Sequence, residues 1–379
     1  MVSISKKVLI VGAGLAGSTI ARVLAEGGLF VEIFEKRNHI SGNIFDYVNS
    51  NNERIHKYGP HLLHCDKNAK GLIFLTRFTD WVPYEHRVRA LLKDGKTTPL
   101  PINKNTLQDI FNKHFKDEDE VKKFLNLIRN KNISPKNIDE FFEAKLGNKL
   151  ANIFFRPYTK KMWGIDPKEL EISIGARLPI RTNSDSRYFN DNFQALPKDG
   201  YTKLVERILS HKNIKVNLNK EYFRGMEDDY EHAFLCIPID QFYKFKYGTL
   251  PYRSIIFESR KVQKNKNLEV PVINFTDDSC YTRKTQWNLF PNSYDPPKEY
   301  NTITYEKPCS LEKNPGEYYY PVQTKKSKII YEKYKKLSNL ENKITFCGRT
   351  GLFKYIDMVP SVNIHLSIAE NYLKSINNL

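Results

Sequence analysis

Residues 6–17 read Lys6-Lys7-Val8-Leu9-Ile10-Val11-Gly12-Ala13-Gly14-Leu15-Ala16-Gly17, a short apolar run that leads directly into glycines spaced G-x-G-x-x-G. An unbroken aliphatic run of this length predicts a strand buried in a parallel sheet. Beyond the glycines, Ile20, Ala21, Val23 and Leu24 recur at helical spacing up to the Gly27-Gly28 pair. Phe30-Val31-Glu32-Ile33-Phe34 then starts a second strand that closes with Glu35 and Lys36. Strand, glycine turn, helix, strand and acid, in that order, form the context in which the glycine pattern carries meaning. Gly12 permits the tight turn, Gly14 lets backbone N–H groups approach a pyrophosphate, and Gly17 lets the helix pack closely. The helix start at Leu15 and Ala16 offers its partial positive charge to the same group. Glu35, 18 residues beyond Gly17, stands where a carboxylate accepts both ribose hydroxyls. The segment predicts a dinucleotide site and leaves FAD and NAD both open.

Two later stretches return to this first sheet and favour FAD. Residues 198–204 lead into a helix through Leu204, Val205, Ile208 and Leu209, followed by strands at 214–216 and 233–238. Near the C-terminus, residues 344–349 read as a strand with a Gly348-Arg349 turn, and a last helix follows Pro360. Such returns resemble large FAD-binding flavoproteins. Between these parts, Leu107, Ile110, Phe111, Val121, Phe124, Leu125, Ile128, Ile138, Phe141, Phe142 and Leu146 recur at helical intervals and predict a small helical domain. Residues 254–257, 270–275 and 302–305 are β-rich and predict an antiparallel sheet. The expected fold is α/β, a Rossmann-like FAD-binding domain with an inserted small helical domain and an antiparallel β-sheet domain. The expected division is a discontinuous FAD domain (1–84, 196–240, 335–379), a helical domain with a mobile lid (104–176), and a substrate sheet (85–103, 177–195, 241–334). Ligands are expected where the parts meet.

A chain of 379 residues suits two or three cooperating substructures. No apolar run is long enough to cross a bilayer and no basic-then-apolar leader opens the sequence, so a cytoplasmic protein without a membrane span is expected. Cys65, Cys236, Cys280, Cys309 and Cys347 are scattered and never fall in C-x-x-C spacing; they are read as reduced thiols with no metal. The formal net charge of +17 comes from lysines spread along the chain. With no zinc-finger, RRM or helix-turn-helix signature to focus them, nucleic acid is not an expected partner. The same field helps to gather a doubly phosphorylated substrate.

A second set of motifs stands beside the fingerprint. Ser41-Gly42-Asn43 precedes His56-Lys57-Tyr58-Gly59-Pro60-His61-Leu62-Leu63-His64. Then come Tyr158-Thr159-Lys160-Lys161-Met162-Trp163-Gly164, Arg177-Leu178-Pro179-Ile180-Arg181 and Tyr188-Phe189-Asn190-Asp191. Tyr281-Thr282-Arg283, Tyr318-Tyr319-Tyr320-Pro321-Val322 and Tyr355-Ile356-Asp357-Met358 complete the series. This succession closely resembles the UDP-galactopyranose mutase family over essentially the whole chain. The resemblance implies an FAD-dependent enzyme that interconverts pyranose and furanose forms of a nucleotide sugar with no net redox. In that family the reduced flavin attacks the anomeric carbon through its nitrogen 5 and displaces the nucleoside diphosphate. The sugar, held covalently on the cofactor, opens and recloses through another hydroxyl. An external reductant for FAD and a homodimer are implied as well.

The resemblance assigns roles by position. Arg177 and Arg283 match the two arginines that hold the diphosphate, a task suited to the planar guanidinium fork. Tyr188, Tyr320 and Tyr355 match tyrosines that bond the diphosphate or line the sugar pocket. Tyr158, with Phe154 and Phe155, resembles the uracil-binding face. Trp163 and Gly164 precede a polar stretch, 165–173, that in the family is the mobile lid carrying the first arginine. His61 and His64, three apart, show no third metal ligand. The family places their segment against the flavin, where an imidazole tunes the reduced ring. Asp357 and Arg349 resemble residues that meet substrate and FAD; Gly42, Asn43 and Met358 join the cofactor set.

Ser41 replaces the family's usual first glycine, and Val359-Pro360 replaces the acid that commonly follows Asp-Met. Residues 82–86 and 284–288 also depart around the expected sugar pocket. UDP-galactopyranose is the first expectation for the substrate. dTDP-fucopyranose and UDP-N-acetylgalactosamine are alternatives, and a 6-deoxy sugar asks for a more apolar pocket. The alternative of another class is an FAD oxidase or desaturase, which the fingerprint alone serves equally well.

Overall fold

A computed structural model describes residues 7–172, 175, 179–292 and 299–377. The first aliphatic run forms strand Lys7–Val11 at the centre of a five-stranded parallel sheet. Across the sheet the order is Ile214–Asn217, Phe30–Phe34, Lys7–Val11, His232–Leu235 and Ile344–Phe346. Val8, Leu9 and Ile10 are fully buried, as strands covered on both faces must be. Helix Leu15–Glu26 turns Ile20, Ala21 and Leu24 into that core. Burial of Ile20 and Leu24 contributes about 2 kcal/mol each. The last helix, Met358–Asn377, packs beside it so closely that a Cβ on Gly27 would lie 2.6 Å from Leu373.

The helical layer contains Lys104–Phe111, Glu118–Ile128, Ile138–Leu150 and Arg156–Trp163. Asn103, Asp117 and Asn137 start the first three, each side chain accepting an N–H one turn in. Such a cap is worth about 1 kcal/mol. The third helix bends at Gly147 (φ 78°), where a Cβ would lie 2.1 Å from the Ile128 carbonyl oxygen. The glycine therefore lets two helices touch backbone to backbone.

The second large sheet has seven strands in the order Tyr320–Pro321, Tyr252–Gln263, Tyr300–Ser310, Arg283–Gln286, Val272–Phe275, Val88–Leu91 and Thr97–Leu100. Five of its six pairings are antiparallel; Val272–Phe275 and Val88–Leu91 run parallel. Those two strands lie far apart in sequence, so no hairpin forces them to oppose each other. A three-stranded sheet (Leu63–Cys65, Phe193–Pro197, Trp81–Pro83) and the hairpin Asp46–Val48/Arg54–His56 complete the fold. No helix among the described residues is long and apolar enough to cross a membrane.

Candidate functional site

Four parallel strands end on one cavity of about 490 Å³. Gly12 follows the first strand, Glu35 the second and Cys236 the fourth, while Gly348 lies just past Phe346; all four line the cavity. Parallel sheets bind ligands at this edge. Gly14, Leu15, Ala16, Gly17, Lys36, Gly42, Asn43, His61, Arg349 and Met358 line it too.

The cavity floor requires the absence of side chains. A Cβ on Gly42 would lie 3.0 Å from the Gly14 Cα, and one on Gly17 would lie 2.0 Å from the Gly12 carbonyl oxygen. No side chain caps the helix that starts after Gly14, so its first N–H groups face the cavity as an anion site. Ser41 and Gly42 both adopt left-handed backbone, φ 76° and 53°. Serine thus takes the conformation that the family's usual glycine would adopt without strain, and its Oγ is buried without a partner. Glu35 accepts N–H groups of Ala13 (2.8 Å) and Arg37 (2.9 Å), which fixes its carboxylate at the cavity wall. Lys36 donates to the Gly316 carbonyl, and Asn43 donates to that of Tyr318, tying a loop from the second sheet over the site. Uncapped N–H groups, an orphaned hydroxyl and a glycine floor together fit a dinucleotide's pyrophosphate.

A second constellation surrounds Arg283. The guanidinium lies 3.6 Å from Glu306, its cross-strand neighbour, and is 23% exposed against 4% for the acid. Burial works against the Arg283 charge, but Glu306 and the nearby hydroxyls of Tyr158, Tyr320 and Tyr188 hold its pKa above the usual value. Burial pushes the Glu306 carboxyl up, and Arg283 pulls against it. Glu306 Oε1 and Arg283 Nε have no hydrogen-bond partner, so the pair retains capacity for a ligand. Trp163 sets its ring edge-on to Tyr320 (6.0 Å) and Tyr355 (6.5 Å), and Arg349 stacks on both tyrosines. Burial raises the Tyr320 phenol, which stays a neutral donor.

The two histidines of the 56–64 motif diverge. His61 points to the dinucleotide cavity, within electrostatic reach of Arg349 and Arg283. His64 instead pairs with Asp191 (2.9 Å) and stacks on Phe189 at 3.6 Å. Burial, reinforced by His56, Arg349 and Arg283, lowers the His61 pKa to about 3. His56 falls to about 4 by burial, and His86 to about 3 by burial with help from Arg283 and His64. A depressed histidine is neutral in the folded chain and takes up a proton on unfolding below its ordinary value, so stability falls with pH below about 6.5. The buried pair His56 and His86 should together remove about 3 kcal/mol between pH 7.5 and 5.5. Urea melts at the two pH values check this; equal midpoints would contradict buried neutral rings.

Phe154 and Phe155 are buried, and Phe155 stacks on Phe142 at 4.1 Å, so both serve the helical core. Tyr158 is half-buried near Arg283. Asp357 directly precedes the last helix, its carbonyl accepting the Ser361 N–H. Arg177 lies outside the described residues. Gly164 ends the Trp163 helix at φ 71°, where a Cβ would lie 2.7 Å from Arg253 Nη1. Arg253 itself donates to the Met162 and Lys161 carbonyls at that helix end. Gly164→Ala should therefore cost about 2 kcal/mol in a denaturant melt; an unchanged midpoint would show that Arg253 is not held there.

Sequence reasoning passed over Glu306, Arg253 and Arg37. Glu306 is one acid in a regular strand and becomes visible only once its register with Arg283 is known. Arg37, two residues past the fingerprint acid, lines the cavity and bonds Asn43 and Glu317.

Fold and site define a dinucleotide-binding flavoprotein whose cofactor cavity abuts an arginine–tyrosine cluster. A profile of NAD(P)-binding Rossmann-like domains matches residues 10–77, and one of UDP-galactopyranose mutases matches residues 153–355. The probable UDP-galactopyranose mutase of Klebsiella pneumoniae is 36% identical, covering 99% of this chain and 96% of its own. The dTDP-fucopyranose mutase of Escherichia coli is 33% identical over 97% of this chain and 99% of its own. A crystal structure of reduced UDP-galactopyranose mutase superposes with a TM-score of 0.76 at 16% identity, covering 98% of this chain and 94% of that one. The chain belongs to the UDP-galactopyranose mutase family and is a nucleotide-sugar mutase, an isomerase.

Proposed function

We propose that this enzyme uses reduced FAD to interconvert UDP-galactopyranose and UDP-galactofuranose without net redox. The observation that carries this reading is the position of His61: it lines the dinucleotide cavity and also feels the charges of Arg283 and Arg349. Arg349 makes the same link, since it lines the cavity and stacks on Tyr320 and Tyr355. Gly12, Gly14, Leu15, Ala16 and Gly17 would hold the pyrophosphate, Glu35 the ribose, and Lys36, Gly42, Asn43, Arg349 and Met358 the remainder. When bound, reduced FAD would supply the nucleophile for displacement of the nucleoside diphosphate.

The chain's own residues supply position and charge. Arg283, together with Arg177 by the family's pattern, would hold the diphosphate and stabilise the charge that develops as it departs. Tyr188, Tyr320 and Tyr355 donate neutral hydroxyls to phosphate and sugar, and Tyr158 faces the base. Trp163 closes on Tyr320 and Tyr355 to exclude water from the exposed anomeric carbon. Asp357 meets the substrate. A homodimer working in the cytoplasm with an external reductant completes the proposal.

One observation favours dTDP-fucopyranose as the second reading. Near Arg283 the rings of Tyr84, Phe189 and Phe290 each lie within 6.4 Å of the buried His86 ring, an aromatic wall suited to a 6-deoxy sugar. The test is to incubate reduced enzyme separately with UDP-galactofuranose, UDP-N-acetylgalactofuranose and dTDP-fucofuranose and to follow each pyranose by chromatography. Fastest conversion of the first supports the main reading, and fastest conversion of dTDP-fucofuranose replaces it with the second. Conversion of none would overturn both.

A further inference from the structure

We propose that a basic, aromatic-studded face on the far side of helix Lys325–Ser338 docks this enzyme on an anionic lipid surface. The helix reads KKSKIIYEKYKKLS, and its six lysines are all exposed. Lys326, Ile329, Lys333 and Lys336 follow one another at spacings of three and four, so they form one stripe that continues to Leu340. Ile329 is 62% exposed and Leu340 75%, positions at which a soluble helix gains nothing from large aliphatic side chains.

The neighbouring loop extends this stripe into a surface. Tyr247 anchors it: its N–H donates to the Tyr334 hydroxyl at 2.9 Å, and that hydroxyl donates to the Gly248 carbonyl at 2.7 Å. The ammonium groups of Lys246 and Lys333 both lie over the Tyr247 ring, at 5.7 and 5.8 Å. Lys244 and Phe245 are successive left-handed residues, φ 48° and 57°, a conformation that costs energy at each side chain. That backbone, pinned by the Phe245 N–H on the Asp240 carbonyl, leaves Phe245 46% exposed. On the other flank Arg224 bonds Glu341, the residue after Leu340.

The acids of this face are occupied. Glu332 pairs with Lys335, and Glu341 accepts from Arg224 and Tyr243. The result is a cationic surface interrupted by Phe245, Ile329 and Leu340. Lysine stems reach along apolar matter while their ammonium groups meet lipid phosphates and carboxylates, and the apolar side chains enter the headgroup boundary. A nucleic-acid backbone would satisfy the lysines alone and would leave those three apolar side chains in water.

The test uses the full-length, flavin-loaded enzyme in co-sedimentation with phosphatidylcholine vesicles, with and without phosphatidylserine, at low and high salt. Wild type should sediment with the anionic vesicles only, and less so at high salt. The triple variant Lys326→Gln/Lys333→Gln/Lys336→Gln should partition about 100-fold more weakly, from about fivefold per lysine. Phe245→Ser, which removes no charge, should weaken partitioning by about 10-fold. Both variants should keep wild-type flavin content and turnover, because none of these residues lies in the cavity or the Arg283 cluster. Failure of wild type to sediment, triple-variant binding within threefold of wild type, or preferential capture by duplex DNA over anionic vesicles would overturn the proposal.

Discussion

Arg283→Ala should lower turnover by about 10³-fold while flavin content stays at the wild-type level. The expectation rests on geometry. Arg283 is the cation around which Tyr158, Tyr188 and Tyr320 gather, and His61 links it to the dinucleotide cavity. A diphosphate leaving there gains charge at the moment of departure, so removal of a preorganised guanidinium is felt in kcat more than in KM. Part of the loss has another source. Without Arg283, Glu306 is a carboxylate only 4% exposed and without a counter-charge, which destabilises the fold or drives the acid to its neutral form. The double variant Arg283→Ala/Glu306→Gln separates the two effects. It should recover stability in a thermal melt and leave turnover low. Recovery of turnover in the double variant would move the guanidinium out of the diphosphate site.

Gly17→Ala should cut bound flavin to below about a tenth of wild type, through a clash that has no flexible partner. The added Cβ would lie 2.0 Å from the Gly12 carbonyl oxygen and 3.1 Å from Ile10. Both belong to the central strand and its turn, so the helix must move away from the sheet and take its N–H groups away from the pyrophosphate position. The ratio of flavin to protein absorbance in the purified variant measures this directly. A wild-type ratio would show that the turn tolerates the displacement and that the helix N-terminus does not hold the cofactor.

How much of this was legible in the sequence varies with the range of the interaction. The fingerprint from Lys7 to Glu35 was fully readable, since strand, turn and helix are set by neighbours and by three glycines. The returns at 214–217, 232–235 and 344–346 were readable from their apolar runs and fall beside the first strands in the sheet. The large second sheet was visible only in fragments. Strands Tyr252–Gln263 and Tyr300–Ser310 extend well beyond the apolar pieces that announced them, because the first turns Ser259, Arg260, Lys261 and Gln263 to solvent and the second sets polar residues such as Asn301 and Glu306 among its buried positions. The parallel pairing of Val272–Phe275 with Val88–Leu91 has no local signal at all. For the site, residue identities were readable and partnerships were not. His61 and His64 look equivalent in the motif, yet the strand Leu63–Cys65 turns His64 toward Asp191 while His61 stays at the cavity. Phe154 and Phe155 resemble a base-binding face by position alone, and the stacking of Phe155 on Phe142 turns that ring into the helical core. Arg253 depends on the Met162 carbonyl, nearly a hundred residues away, and Glu306 on its cross-strand register with Arg283, which no spacing rule reaches.

The central claim is that the enzyme works only with reduced flavin and consumes no reducing equivalents. The most direct measurement is the rate of UDP-galactofuranose conversion by the same protein before and after reduction with dithionite, with the visible spectrum recorded alongside. The account predicts a yellow protein that is inactive as purified and, once bleached, converts many substrate molecules per flavin while remaining bleached. Equal conversion by the oxidised enzyme, or reoxidation of one flavin for each sugar converted, would contradict it.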